Sequence, residues 1–300
     1  MNLILHGSWH SNALFVWAEA SEPAPRPRGR KPRILPHPHA APPDALRATL
    51  ARLVPSIDGA NTSPTTRTIL LPSSAEAPLL PPWLVTEQVE PAEAEPRLSP
   101  WTASGLVLDP LSALDLLVAL PFGPASQQQW GPDLRYWSLV AKLGLELLAQ
   151  HKYLPGLAEN EGQYRAVWLP VLGDPQDRAQ LRVLAQAMPP VCRALFDGDA
   201  APHPDDAPLP NTLLDEFLKQ LVDQAIRDWG RDNLDRRRKA PQGVAGAWWS
   251  ALWNEDGQIE VPVAQRRELV RLFDDWQAWM GQLRGEAEAA FRLCFRLEPP

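Results

Sequence analysis

Leu3-Ile-Leu-His-Gly-Ser-Trp-His-Ser-Asn-Ala-Leu-Phe-Val-Trp17 is the stretch on which the fold class turns. Two short apolar runs, Leu3–Leu5 and Leu14–Trp17, flank His10-Ser-Asn12. Ser and Asn bond to their own backbone and tolerate turn conformations, so the stretch predicts a β-hairpin. Further along, Thr66–Leu71 reads as a strand stopped by Pro72, and Tyr164–Leu172 as another. The closing Phe291-Arg-Leu-Cys-Phe-Arg-Leu297 alternates apolar and polar residues, the pattern of a half-buried strand. A sheet wants three or more strands. That last strand is therefore expected either to pair far back in the chain or to lead into a further domain.

After about residue 109 the texture becomes helical. Pro43-Asp44 already opens a short helix to about Val54, and Asp109-Pro110 supplies an N-cap and a first helical residue for one through Leu120. Gly131-Pro-Asp133 starts a stronger helix, expected to end near Pro155-Gly156. Arg135, Ser138, Lys142, Glu146 and Gln150 form one narrow polar stripe along it, and the apolar remainder places it deep in a domain. Asp177–Met188 is a further helix. Thr212 with Asp215 resembles a capping box, and the helix that follows puts Leu214, Phe217, Leu221, Ala225 and Trp229 on one face. Val244–Trp253 leads through the turn Asn254–Gly257 into Gln258–Val261, and a helix over roughly Val263–Met280 packs Leu269, Phe273, Trp276 and Met280. Ser21–Pro38, Pro72–Pro100 and Asp197–Pro210 are rich in Pro and read as loops or linkers. No repeat of fixed period occurs. The expectation is an α+β chain: a small β-containing N-terminal part over residues 1–105, then a mainly helical part over 106–300. The strand near Tyr164–Leu172 is free to join the first sheet.

Composition bounds the class. The 300 residues are 45% hydrophobic and 22% charged, with 13 Trp, which is ample for a core and argues against global disorder. The net charge of -7 does not favour indiscriminate binding of nucleic acid, although a local basic patch can override the average. Cys192 and Cys294 are too few for a disulfide scaffold and read as reduced thiols. The N-terminus lacks the basic and apolar regions of a signal peptide. The most apolar stretch, Leu106 to Phe122, carries Asp109, Asp115, Pro110 and Pro121, which argues against a membrane span. A cytoplasmic protein is expected.

Familiar catalytic chemistry is missing. No Gly-Lys pair exists for a P-loop, no Gly-x-Gly-x-x-Gly follows a strand, and no Gly-x-Ser-x-Gly elbow occurs. His6 and His10 are four apart and His37 and His39 flank Pro38, but the strand-like surroundings disfavour a helical metal pair. Asp205-Asp206 lies in a Pro-rich loop and Asp274-Asp275 on the polar side of a helix, so both pairs read as solvated acids. No catalytic, cofactor or metal residue is therefore assigned.

The basic clusters are the strongest functional hint. Arg26, Arg28, Arg30, Lys31 and Arg33 are interleaved with Pro in a loop that could follow a phosphate backbone. Arg236, Arg237, Arg238 and Lys239 form a second run, whose plainer role is a cationic helix end. Trp248, Trp249 and Trp253 could stack on bases, yet their helical spacing favours a core seam.

Several strings together resemble the front region of bacterial SWI/SNF-family helicase-like ATPases. They are Leu5-His-Gly-Ser-Trp9 with Phe15-Val-Trp-Ala-Glu19, Ile34-Leu-Pro-His-Pro-His-Ala40, Gly131-Pro-Asp-Leu-Arg-Tyr-Trp137, Tyr153-Leu-Pro-Gly156, Ala187-Met-Pro-Pro-Val-Cys192, Trp248-Trp-Ser-Ala-Leu-Trp253 and Phe291-Arg-Leu-Cys-Phe-Arg-Leu297. They run in order over nearly the whole chain. The resemblance implies a region that precedes a two-lobed motor, which binds ATP with Mg and moves along duplex DNA. None of the motor's ATP-binding positions falls in these 300 residues, so ATP and Mg are expected only for a downstream motor. The implied role is an accessory or regulatory region without catalysis of its own. Its partners would be the motor, in cis or in trans, and duplex DNA, with no membrane and no metal. The alternative is a stand-alone protein-interaction module. A hydrolase with an unfamiliar site would rest only on the scattered acids and histidines.

Overall fold

The computed structural model describes residues 3–23, 33–57, 64–74, 77–79, 97–120, 129–160, 162–196, 203–231 and 242–296. The chain is α+β. Its elements in order are β1 (Leu3–His10), β2 (Ala13–Ala20), β3 (Leu35–Pro36), α1 (Pro43–Leu53), β4 (Pro64–Ser73), β5 (Arg97–Leu108), α2 (Pro110–Ala119), α3 (Pro132–Ala149), β6 (Tyr153–Asn160), β7 (Gln163–Pro170), α4 (Pro175–Gln186), β8 (Leu195–Phe196), α5 (Pro210–Arg231), α6 (Gly243–Ala251) and α7 (Arg266–Arg296). They fall into two compact units, one of residues 1–143 with 184–217, the other of 144–183 with 218–300. No described helix is long and apolar enough to cross a membrane.

The first unit is built on a sheet of order β1-β2-β5-β4-β8. The expected hairpin forms, with Leu3 opposite Ala20 and His10 opposite Ala13. Its two loop residues, Ser11 and Asn12, have φ of 49° and 63°. That left-handed pair makes the primed turn whose twist matches that of the strands. β5 is the hub of the sheet: β4 pairs along it from Pro64↔Leu106 to Ser73↔Arg97. On its other edge β2 pairs only over residues 14–16. Gly105 permits that approach, because a side chain there would strike the Val16 carbonyl and the Phe15 ring.

Beyond residue 16 the two strands splay, and residues 35–41 fill the fork. Leu35 and Pro36 pair with Trp101 and Thr102, and the His37 amide donates to the Thr102 carbonyl (2.8 Å). On the β2 side Ala20 N–H donates to the His39 carbonyl and Ala41 N–H to the Ala18 carbonyl, both at 2.8 Å. The wedge thus satisfies backbone groups of both strands that would otherwise be unpaired edges. Phe15, Trp17, Ile69, Leu71, Trp101, Ala103 and Leu195 form a core cluster on the sheet. Asp109 caps α2 as expected, accepting from the amides of Leu111 (3.0 Å) and Ser112 (3.1 Å). α3 is largely buried, but its stripe is not the one expected: Ser138 is 1% exposed and bonded to the Leu117 carbonyl, while Leu139 of the apolar remainder is 49% exposed.

The second unit holds a separate two-stranded sheet, β6 with β7. The strand expected at Tyr164–Leu172 therefore pairs with β6 rather than with the first sheet. Gln258 bridges to Arg165 beyond the turn at Gly257, as the Asn254–Gly257 reading implied. Against this sheet Trp168 of β7 meets the Trp253 ring (centroids 5.2 Å apart) and donates its Nε1–H to the Leu252 carbonyl (3.1 Å).

Four expectations need correction. Residues 291–296 continue α7 and form no strand. Glu286, Ala287, Glu288, Ala289 and Ala290 are strong helix formers, so a helix already running from Arg266 propagates through them. α3 ends at Ala149 rather than near Pro155: His151 takes φ 56°, and Lys152 and His151 donate back to Leu147 and Leu148. This is a Schellman cap without glycine. α5 starts at Pro210, ahead of Thr212, so Thr212 is already the third helical residue and the Thr212–Asp215 pair lies inside the helix, not at its cap. Trp229 is 59% exposed, off the buried face assigned to it.

Candidate functional site

Four titratable side chains from four segments converge in the first unit. Strand register supplies the first two. His6 lies opposite Trp17 and Glu19 opposite Ile4, so His6 and Glu19 are diagonal neighbours on one face. The His6 ring stacks on Trp17 (centroids 4.5 Å apart, planes at 19°). The wedge supplies His37, whose Nε2 lies 3.3 Å from Glu19 Oε1. The start of α3 supplies Asp133, with Oδ1 3.1 Å from His6 Nδ1. His6 Nε2 in turn lies 3.4 Å from Glu19 Oε2. The order is Asp133–His6–Glu19–His37, and each residue is at most 6% exposed.

Local structure fixes Asp133. The approach to α3 runs along the outer edge of β1, with Leu5 N–H donating to Gln129 (2.9 Å) and Gly131 N–H to Leu5 (2.7 Å). Gly7 N–H donates to Asp133 Oδ2 at 2.8 Å. Asp133 also sits in the first turn of α3, where the helix dipole favours a negative group. A Cβ at Gly131 would meet Asp133 Oδ1 and His6 Nδ1, so glycine leaves room for that contact. The Cys192 thiol lies 4.0 Å from the Asp133 carbonyl, and burial together with the nearby Asp133 charge pushes its pKa up. Cys192 is thus an inert buried thiol.

Burial alone would lower the His6 pKa. The charge of Asp133, its hydrogen bond and the Glu19 carboxylate outweigh that, raising it to about 10. Burial likewise works against ionised Glu19, but His37 and His6 hold its pKa down at about 2. Both His6 nitrogens face carboxylates, which only an imidazolium satisfies with two donors. His37 differs: its Nδ1 accepts the His39 amide (3.2 Å), so the ring proton sits on Nε2, toward Glu19. His6 Nε2, Glu19 Oε2 and His37 Nε2 lie within ion-pair range, but at angles too oblique for straight hydrogen bonds.

Two histidines and a carboxylate suggest a metal, and the carboxylate behind His6 is a usual outer partner of a ligating imidazole. The His37 tautomer opposes that reading, since its Nε2 carries a proton instead of a free lone pair. No group of three His, Cys, Asp or Glu among the described residues has a geometry that could hold a metal. What the arrangement can do is tie β1, β2, the wedge and α3 together by charge in a dry interior, where removing one partner is costly.

A second buried polar node stands in the other unit. Arg227, 3% exposed, pairs with Asp223 Oδ2 (2.9 Å) and donates to the carbonyls of Ala166, Ala251 (2.8 Å), Leu252 (3.2 Å) and Asn254. It therefore caps the C-terminal carbonyls of α6 and joins them to β7. A cleft of about 600 Å³ in the same unit is lined by Tyr164, Ile259 and Leu269, with Glu260 and Arg266 exposed beside it.

Of the candidate nucleic-acid contacts, Arg33 is exposed at the start of the wedge. Arg26, Arg28, Arg30, Lys31, Arg236, Arg237, Arg238 and Lys239 lie outside the described residues. His10 is half-buried, and its pKa is lowered by burial and by Arg67. Asp205 and Asp206 are exposed around His203, and Asp274 and Asp275 are exposed on α7. Trp249 and Trp253 meet edge-on (6.0 Å), and Trp248 Nε1 donates to the Gly156 carbonyl (3.0 Å), so these rings are packing elements. The sequence reading set His6 and His37 aside as ordinary turn and surface histidines, whereas both are buried, and it missed Glu19 and Asp133 as their partners. The available signal was a Glu alternating with apolar residues in a strand buried on both faces.

Comparison with known proteins gives no match, whether to a family model, to a curated protein or to a solved structure.

Proposed function

We propose that this chain is a non-catalytic accessory region of a bacterial SWI/SNF-type DNA translocase, acting in the cytoplasm by docking on the motor or contacting duplex DNA. The observation that carries the reading is where the resembling strings fall. His6 comes from Leu5–Trp9, Glu19 from Phe15–Glu19, His37 from Ile34–Ala40 and Asp133 from Gly131–Trp137; these four form the buried charge network. A fifth string, Ala187–Cys192, touches the same region, through Ser8 Oγ to the Val191 carbonyl (3.4 Å) and Cys192 to Asp133. Trp248 and Gly156, from two more, bond to each other in the second unit. Strings scattered over the chain thus meet as interlocking parts of a scaffold. The titratable groups they bring together are sealed from substrate, which suits a docking or regulatory body.

The test adds the 300-residue protein in trans to a bacterial SWI/SNF-type motor and follows DNA-stimulated ATP hydrolysis. A saturable change of threefold or more in either direction is expected. An unchanged rate, together with no co-sedimentation with motor or duplex DNA, contradicts the proposal. The exposed Trp229 and Trp279 rings favour the second reading, a stand-alone interaction module. That reading predicts association with a protein other than the motor.

A further inference from the structure

We infer that the Asp133–His6–Glu19–His37 network has two states that differ by one proton on His37, and that this proton decides whether residues 35–41 stay seated between β2 and β5. The inference rests on hydrogen-bond chemistry at one ring. One nitrogen of His37 is hydrogen-bonded: Nδ1 accepts the His39 amide at 3.2 Å, while Nε2 lies obliquely 3.3 Å from Glu19 Oε1, within ion-pair range only. A second proton has only the Nδ1 lone pair to occupy. An imidazolium has two donors and no acceptor, so Nδ1–H would then face the His39 N–H, donor against donor. Protonated His37 and the His39 N–H···Nδ1 bond therefore exclude one another.

The network also gives that proton a reason to bind. The groups around His37 are Glu19 and Trp17 from β2, His6 from β1 beyond Glu19, Trp101 from β5 and His39 of its own turn, with Asp133 of α3 behind His6. Two carboxylates flank one imidazolium at His6, which leaves one negative charge uncompensated in a buried site. A proton taken by His37 from solvent cancels it. The opposing cost is the broken His39 bond and an amide that must find another acceptor. The gain and the cost act on the same turn in opposite directions, the condition for a switch.

The turn that must move is the one holding the wedge. His39 gives its carbonyl to Ala20 N–H, its Nδ1 lies 3.0 Å from the Ala20 carbonyl, and Ala40 N–H donates to His37 (3.1 Å). Reorienting it loosens the bonds that seat residues 39–41 on β2. It also frees Ala18 C=O and Ala20 N–H as an open strand edge, which another extended chain can pair with.

The experiment titrates the full chain downward from pH 8 by NMR. It follows the His37 ring carbons, the His39 amide and hydrogen exchange at Ala20 and Ala41, corrected for the intrinsic pH dependence of exchange. The expected result is one shared midpoint, with protection at Ala20 and Ala41 falling about tenfold or more, and loss of the transition in His37→Gln. Three results overturn the inference: a His37 ring that titrates while the His39 amide stays unchanged, a ring that takes no proton before global unfolding, or the same amide transition in His37→Gln. If that variant does not fold, the wild-type comparison of ring and amide midpoints decides alone.

Discussion

His6 concentrates the energetics of the first unit in one side chain. Its folded pKa is raised to about 10 from 6.5, so its contribution to stability is complete below about pH 6.5 and is lost as pH rises toward 10. Glu19 behaves oppositely. Its pKa is depressed to about 2 from 4.5, so its contribution is complete above about pH 4.5 and disappears as pH falls toward 2. Stability against urea should therefore be greatest between about pH 4.5 and 6.5 and should decline on both sides, and the decline between about pH 6.5 and 9 should vanish in His6→Gln. Replacing Asp133 by Asn leaves the His6 imidazolium with one carboxylate in a dry site. A loss of roughly 1.5–3 kcal/mol in urea unfolding at pH 7 is expected, the cost of a lost charged hydrogen bond, because Glu19 remains as counter-charge to His6. Gly131→Ala tests the close approach directly, because its methyl would meet Asp133 and His6. It should cost about 1–3 kcal/mol, as overpacking typically does. Glu19 and Asp133 were illegible in the sequence for a physical reason. A lone acid in an apolar strand announces a partner without naming it, and the two acids, bridged through His6, come from opposite ends of the first unit's main segment.

At the scale of elements, local chemistry was legible wherever it alone decides. The Ser11-Asn12 turn and the Asp109 cap read correctly because turn and cap rules act over a few residues, whereas on α3 tertiary packing buries Ser138 of the polar stripe and exposes Leu139. β5 was missed over most of its length. Its buried positions Trp101, Ala103 and Gly105 alternate with half-buried Ser and Thr, so the contrast in hydrophobicity that marks a strand is weak. β6 was hidden by Pro155-Gly156, which read as a helix end. As an edge strand β6 tolerates the proline, and Gly156 leaves room for Leu169 and Trp276. The C-terminal cap of α3 offers its own test. His151 holds a left-handed φ that glycine adopts without strain. His151→Gly should raise stability by about 1 kcal/mol, read as a higher urea midpoint at unchanged slope.

Across the whole molecule, two compact units each centre on a buried polar node: the acid–histidine network in one, Arg227 in the other. Both nodes gather backbone or charge from segments far apart in sequence, which is why composition and periodicity pointed to α+β but not to the nodes. The basic runs are a separate matter. Arg26–Arg33 adjoins the wedge in sequence, and the DNA contact proposed for it is tested by binding. The most direct measurement is duplex-DNA binding by the 300-residue protein across a salt series, beside a variant with Arg26, Arg28, Arg30, Lys31 and Arg33 changed to Ala. The account predicts binding that weakens steeply with salt, and a variant whose log–log slope is shallower by about 0.9 for each phosphate it no longer neutralises. No binding to duplex DNA at low salt, in a protein that also leaves the motor's ATP hydrolysis unchanged, would contradict it.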